Sequence, residues 1–176
     1  MGRIGGHCNM TNIDRGALTC IAHVLPIKTM IDVGCGPGGQ IPIAKKLGID
    51  AYGIDGDANT HPAIFHNFND GPLEVEHADL AWSIEFLEHI EEQYLCNVFS
   101  VFNKCKYIFC THNEKPGPWH SNCKNNDYWL DVFKGYGFRY DAEMTDKIKF
   151  HSTMKREFVQ ETGTFFENMG ELCVRY

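Results

Sequence analysis

The run Asp32-Val33-Gly34-Cys35-Gly36-Pro37-Gly38-Gly39-Gln40 limits what this chain can fold into more than any other stretch. It follows a short apolar segment, Thr29–Val33, and precedes one with helical apolar spacing from about Ile41 to Leu47. Glycine adopts positive φ without steric cost and lets a ligand approach the backbone, while the start of a helix offers N–H groups that nothing within the helix satisfies. Strand, glycine-rich turn and helix in that order open a βαβ unit, and Ala51–Ile54 supplies its second strand.

Beyond this unit, apolar runs alternate with helical patterns in the manner of a doubly wound α/β fold. An N-terminal helix is expected over Ile13–Leu25, closed by Pro26. Ala63–Phe68 holds a third strand before the turn signal Asn69-Asp70-Gly71-Pro72, and Leu80–Ile84 a fourth. A long helix over Glu88–Lys104 and a fifth strand at Tyr107–Thr111 follow, then a loop to Asn125 and a helix over Asn126–Tyr136. Phe138–Tyr140 and Thr164–Phe166 read as the last two strands, with a single amphipathic helix between them around Lys147–Gln160.

At 176 residues the chain has the size of one domain, expected to span 1–176, with no room for a separate substrate module. Its net charge of −7 argues against a protein that mainly coats nucleic acid. The charge is uneven: residues 1–103 carry 5 basic and 13 acidic side chains, and residues 104–156 carry 10 and 6. The acidic part could suit a cationic ligand and the later segment an anionic one. Eight cysteines without a CxxC pair, several inside apolar runs, read as buried free thiols in a reducing cytoplasm. No stretch reaches the ~20 apolar residues of a membrane span, and the N-terminus lacks the apolar core of a signal peptide.

The glycine run satisfies acid-x-Gly-x-Gly-x-Gly through Asp32, Gly34, Gly36 and Gly38, and also GxGxxG through Gly34, Gly36 and Gly39. Spacing alone leaves S-adenosylmethionine and a dinucleotide open. Asp32, two residues before the first glycine, would repel a pyrophosphate but suits the amino-acid end of S-adenosylmethionine, and Asp55 is placed to accept hydrogen bonds from ribose hydroxyls. On these residues the chain resembles the class I S-adenosylmethionine-dependent methyltransferases. That resemblance implies a three-layer, mostly parallel seven-stranded sheet with an antiparallel last strand. It also implies a cofactor site drawn from Asp32, Gly34, Cys35, Gly36, Gly38, Asp55, Gly56, Asn67, Phe68 and Ser83, with Asn67 or Asp70 toward the adenine. The compact form, with Asp79–His89 and Asp127–Leu130, is similar to small methyltransferases encoded by tailed phages, which would place the protein in a host cytoplasm.

Glu85, Glu88 and His89 fall where the fourth strand ends, the position at which ligands collect in such sheets. Two carboxylates and an imidazole suit Mg²⁺, Mn²⁺ or Zn²⁺. The ExxEH pattern resembles the divalent-metal site of ubiquinone-pathway O-methyltransferases and of terminal-ribose 2′-O-methyltransferases of small RNAs, which add a later histidine. His120 is the expected fourth ligand and His112 the other candidate. Glu85, Glu88 and His89 are equally the candidate catalytic residues, one of them as general base; against this stands a reading in which Glu88 only caps a helix and His89 only bonds a loop. Trp119 and His120 lie where a substrate could stack or hydrogen-bond. Trp82 and Trp129 read as core, His7 and His61 as solvated.

The expected activity is transfer of the sulfonium methyl to an O or N acceptor, with a small molecule the expected partner and a nucleic acid still open. A protein that binds or degrades S-adenosylmethionine without transfer is the alternative, and a nicotinamide-dependent reductase a third.

Overall fold

The computed structural model describes residues 9–170; His7, Cys8 and Cys173 lie outside them. Seven strands form one sheet: β1 (Thr29–Val33), β2 (Asp50–Asp55), β3 (Ile64–Phe65), β4 (Ala78–Ser83), β5 (Cys105–Cys110), β6 (Phe138–Tyr140) and β7 (Thr164–Asn168). Their order across the sheet is β3-β2-β1-β4-β5-β7-β6. β7 runs antiparallel to both β5 and β6, and the other pairings are parallel. This is the expected fold, and the reversed β7 inserted before β6 separates it from the 3-2-1-4-5-6 order of dinucleotide-binding sheets.

The central strands are apolar on both faces because helices cover both. On one face Met30, Leu80, Trp82, Phe109 and Phe165 pack with residues of α1 (Arg15–Val24), α2 (Ile41–Lys46), α5 (Ala142–His151) and α6 (Phe158–Thr162). On the other, Ile31, Val33, Ala81, Ile108 and Phe166 pack with α3 (Leu95–Phe102) and α4 (Asn126–Gly135). The period of two along each strand thus sends alternate side chains into two separate cores.

Three expected elements are corrected. The helix foreseen over Glu88–Lys104 is two 3₁₀ turns, Leu87–His89 and Glu92–Tyr94, before α3 begins at Leu95. The Glu88 carbonyl, which a helix would direct at the Glu92 amide, accepts instead from the amides of Ser121 and Asn122, both at 2.9 Å. The single helix foreseen around Lys147–Gln160 is α5 and α6, parted because Ser152 and Thr153 leave the helix to bond the fully buried Asp14. β3 keeps only two residues, since Asn67 caps a turn over Phe68–Asp70.

Asp14 caps α1 through the Ala17 amide, and α1 lies so close to α5 that a Cβ on Gly16 would stand 1.9 Å from the His151 carbonyl oxygen. Gly16→Ala is therefore expected to destabilise the protein by about 1–3 kcal/mol through forced separation of the two helices. Urea unfolding followed by circular dichroism measures this, and an unchanged midpoint would show that α1 and α5 part without cost.

Candidate functional site

The glycine loop is held by the end of β2. Gly34 and Cys35 amides donate to the Ile54 carbonyl at 2.9 and 3.1 Å, and the Gly36 amide donates to Asp55 Oδ2 at 2.7 Å. Gly34, Gly36 and Gly38 have φ of 75°, 49° and 72°, a region costly for any residue with a Cβ. At Gly34 the demand is double, because a Cβ there would lie 2.3 Å from the Phe86 ring. The Cys35 thiol turns inward to the spot where Gly53 has no Cβ, and burial first, then Asp32 and Asp55, push its pKa up. It therefore presents backbone to a ligand and no thiolate. The amide of Gly39 donates to Thr11 Oγ1 at 3.0 Å, and Gln40 exchanges two hydrogen bonds with the Asp14 backbone.

Above this loop opens a cavity of about 630 Å³, within the range of small-molecule sites. Asp32, Gly34, Cys35, Gly36, Asp55, Gly56, Asn67 and Phe68 line it at one end. Glu85, Glu88, His89, Trp119 and His120 line it as well, so two groups of residues read separately in the sequence face one space. Asp32 is 3% exposed and its Oδ2 has no hydrogen-bond partner among the described residues. Burial, and then the nearby Asp55 charge, raise its pKa to about 8. Asp55 accepts from Gly36 and, at 2.8 Å, from the Asp57 amide, so its carboxylate is aimed before any ligand arrives.

At the other end Glu85 sits just past β4 with φ of 53°. Its Oε1 accepts from Thr111 Oγ1 at 2.9 Å and its Oε2 from Asn113 Nδ2 at 3.1 Å. Burial raises its pKa against the opposing pull of those two hydrogen bonds. Glu88 differs: it is fully buried and neither carboxylate oxygen has a hydrogen-bond partner among the described residues. Burial, then the Glu85 charge, lift it to about 8 even though its own amide and that of Asn113 lie close enough to favour the charge. His89 Nδ1 lies 2.9 Å from the Trp119 carbonyl and His120 Nδ1 lies 2.8 Å from the Lys115 carbonyl. A carbonyl can only accept, so Nδ1 is the donor in each ring and Nε2 is the nitrogen left to offer a lone pair whenever the ring is neutral. The rings meet edge to face at 4.9 Å, and ligand atoms of Glu88, His89 and His120 lie within 4.8 Å of one another.

Of the expected metal ligands, Glu88, His89 and His120 thus come together, whereas Glu85 stands outside that group with its oxygens occupied. His112 is buried among Trp129 and the Thr162 hydroxyl, with its pKa lowered to about 4 by burial and then Lys149. Among the expected cofactor contacts, the Ser83 hydroxyl is spent on the Val33 carbonyl at 3.0 Å, and Asp70 is exposed and away from the cavity. Gly38 acts within the loop by donating to the Cys35 carbonyl. Trp129 is core as read; Trp82 is 1% exposed yet also lines the cavity. Met10, Thr11, Asn12, Gln40, Asn113 and Phe158 also line it. Asn113 was within reach of the rule that groups just past a parallel strand face the ligand; the others carry no local signal.

No family model and no curated protein matches the sequence. Solved structures do share the fold. The methyltransferase domain of bacterial CtHen1 matches with a TM-score of 0.60 at 16% identity, over 87% of this chain and 96% of that one. An S-adenosylmethionine-dependent methyltransferase from Archaeoglobus fulgidus matches at 0.54 and 18%, over 69% of this chain and 68% of the other. The [4+2]-cyclase SpnF matches at 0.59 and 12%, over 88% and 81%. The chain spans about half the length of two further matches, 48% and 52%. Its fold is that of the class I S-adenosylmethionine-dependent methyltransferases.

The Asp32 environment has a measurable consequence. A carboxyl whose pKa rises on folding from 3.8 to about 8 contributes stability that is present below the lower value and is lost as pH climbs between the two. Asp32→Asn should therefore gain stability relative to wild type as pH is raised from about 5 to 8, a trend read from urea midpoints across that range. Parallel curves would mean that Asp32 ionises as freely folded as unfolded.

Proposed function

We propose that this chain is an S-adenosylmethionine-dependent methyltransferase, a single domain over 1–176, that transfers the sulfonium methyl to an O or N acceptor. The observation that carries the reading is the cavity itself. A glycine loop preset by Asp55, a buried Asp32 whose Oδ2 has no partner among the described residues, and a buried Glu88 with two oriented imidazoles all face this one space. S-Adenosylmethionine has a cationic sulfonium and amino group and two ribose hydroxyls that donate; carboxylates at Asp32 and Asp55 supply the charge and acceptors it needs. Glycines 34 and 36 admit it against the backbone. With donor and acceptor held in one space, alignment supplies most of the rate, since displacement at a methyl requires the nucleophile in line with the departing sulfur.

The acceptor must lose a proton. Glu88 lacks a hydrogen-bond partner among the described residues and is lifted to about 8, which makes it a stronger candidate base than Glu85, whose oxygens are already engaged. The same residues fit a divalent metal. A buried carboxylate with both oxygens unpartnered, beside two histidines whose Nδ1–H groups are held by carbonyls, is the donor set and outer support such ions take. Glu88, His89 and His120 would hold it, and the mixture of carboxylate and imidazole suits Mn²⁺ or Zn²⁺ better than Mg²⁺. Such an ion would lower the pKa of an acceptor hydroxyl.

A second reading is binding of S-adenosylmethionine without methyl transfer; a cyclase that shares the fold supports only that the fold is not tied to methyl transfer. Labelled S-adenosylmethionine incubated with fractionated cell extract separates the two: label passing to an acceptor supports transfer, and binding without label in any fraction overturns it. Calorimetry should find that Asp55→Ala weakens S-adenosylhomocysteine binding by about tenfold or more, since the loss frees the Gly36 amide as well as the ribose contact. Equal affinity would remove Asp55 from the site. Chelation with EDTA should abolish turnover and added Mn²⁺ or Zn²⁺ restore it; full activity with no bound metal by elemental analysis would leave Glu88 as a simple base.

A further inference from the structure

Trp119 combines two costs that the fold does not recover. It leaves 64% of its surface in solvent, and its φ of 67° lies in the left-handed region that non-glycine residues avoid. The conformation is enforced. Its carbonyl accepts from His89 Nδ1, its neighbour His120 donates back to Gly117 at 3.2 Å, and a Cβ on Gly117 would stand 3.0 Å from the His120 ring. Pro116 and Pro118 stiffen the same turn. A loop assembled in this way holds the indole at the wall of the cavity, beside Glu88, His89 and His120.

Arg156 is the single Lys or Arg among the residues that line the cavity, against five carboxylates there. No carboxylate of the described residues lies within 4.0 Å of it. Its guanidinium instead lies 5.6 Å over the Phe158 ring, at the start of α6. α6 is pinned beside the acceptor end, because Thr162 exchanges hydrogen bonds with the His112 backbone and Glu161 faces Lys115 at 3.9 Å. A permanent cation that pairs with none of five nearby acids is left to receive an anion from outside.

Resting on the methyl-transfer reading, we propose that the acceptor is a small planar anion, its ring stacked on Trp119 and its carboxylate or phosphate paired with Arg156. The cavity of about 630 Å³ holds one such molecule, and the net charge of −7 disfavours a long polyanion.

The test uses the full chain saturated with S-adenosylhomocysteine and titrated with matched probes: 3,4-dihydroxybenzoate against catechol, adenosine 5′-monophosphate against adenosine, and cyclohexanecarboxylate as a non-planar anion. At least one planar anion should bind about tenfold tighter than its neutral partner and than the non-planar acid. Trp119→Ala should weaken that binding by about fivefold or more while Trp119→Phe keeps most of it. Arg156→Ala should erase the preference for the charged probe, and neither alanine variant should alter S-adenosylhomocysteine affinity. The two planar anions separate a carboxylate from a phosphate source. The inference is overturned by absence of any planar-anion preference, by a Trp119→Ala variant that binds as wild type, or by binding confined to a single-stranded oligonucleotide. Loss of S-adenosylhomocysteine affinity in Arg156→Ala overturns it too, assigning the arginine to the cofactor. If wild type binds no S-adenosylhomocysteine, the methyl-transfer reading falls and takes this one with it; binding of the cofactor product without the preference removes this one alone.

Discussion

Three hydrogen bonds from the glycine loop to the end of β2 set the geometry on which everything else in the site depends. Gly34 and Cys35 share the Ile54 carbonyl, and Gly36 takes a carboxylate oxygen of Asp55. With these in place β1 delivers Asp32 beneath the cavity, α2 starts just beyond the loop, and the other Asp55 oxygen is fixed by the Asp57 amide. A βαβ unit brings two strand ends side by side in parallel register, Val33 opposite Ile54, so the loop and the acid that presets it are 19 residues apart in sequence yet in contact.

The site keeps carboxyl groups where the fold gives them little in return. Asp32 and Glu88 are buried with oxygens that nothing among the described residues satisfies, and an unsatisfied buried polar group costs stability. Glu85, by contrast, is held by Thr111 and Asn113 and is the better stabilised of the acidic groups past β4. Asp32 and Glu88 both line one cavity, where a cation or a proton would relieve them. Two of the four described non-glycine residues with positive φ, Glu85 and Trp119, line the same cavity.

Much of the fold was legible because its signals are local. Apolar runs at Thr29–Val33 and Phe138–Tyr140 are strands with the expected bounds, and the glycine loop lies where its spacing put it. The two misread helices share one cause. Glu88–Lys104 and Lys147–Gln160 have helical apolar spacing, but distant partners, Ser121 and Asn122 in one case and Asp14 in the other, draw on the backbone and side chains at the break points. Among the candidate site residues, Asp32, Gly34, Gly36 and Asp55 were readable from the glycine pattern and the acid that ends the second strand, Asn67 and Phe68 followed only from the family resemblance, and all six line the cavity. Ser83 was not distinguishable from them in sequence, because only pairing of β1 with β4 shows its hydroxyl turned to Val33.

The sequence by itself determined the succession of the seven strands, the glycine loop with its two acids, and the presence of Glu85, Glu88 and His89 at a strand end, because periodicity and turn chemistry act over a few residues. Only the tertiary structure decided that His120 and not His112 joins Glu88 and His89, that Glu85 is drawn away by Thr111 and Asn113, and that Trp119 and Arg156 share the cavity with them. Those choices depend on which loop lies against which strand end, and that is settled by burial and by long-range hydrogen bonds such as Asp14 to Thr153, whose partners stand 139 residues apart.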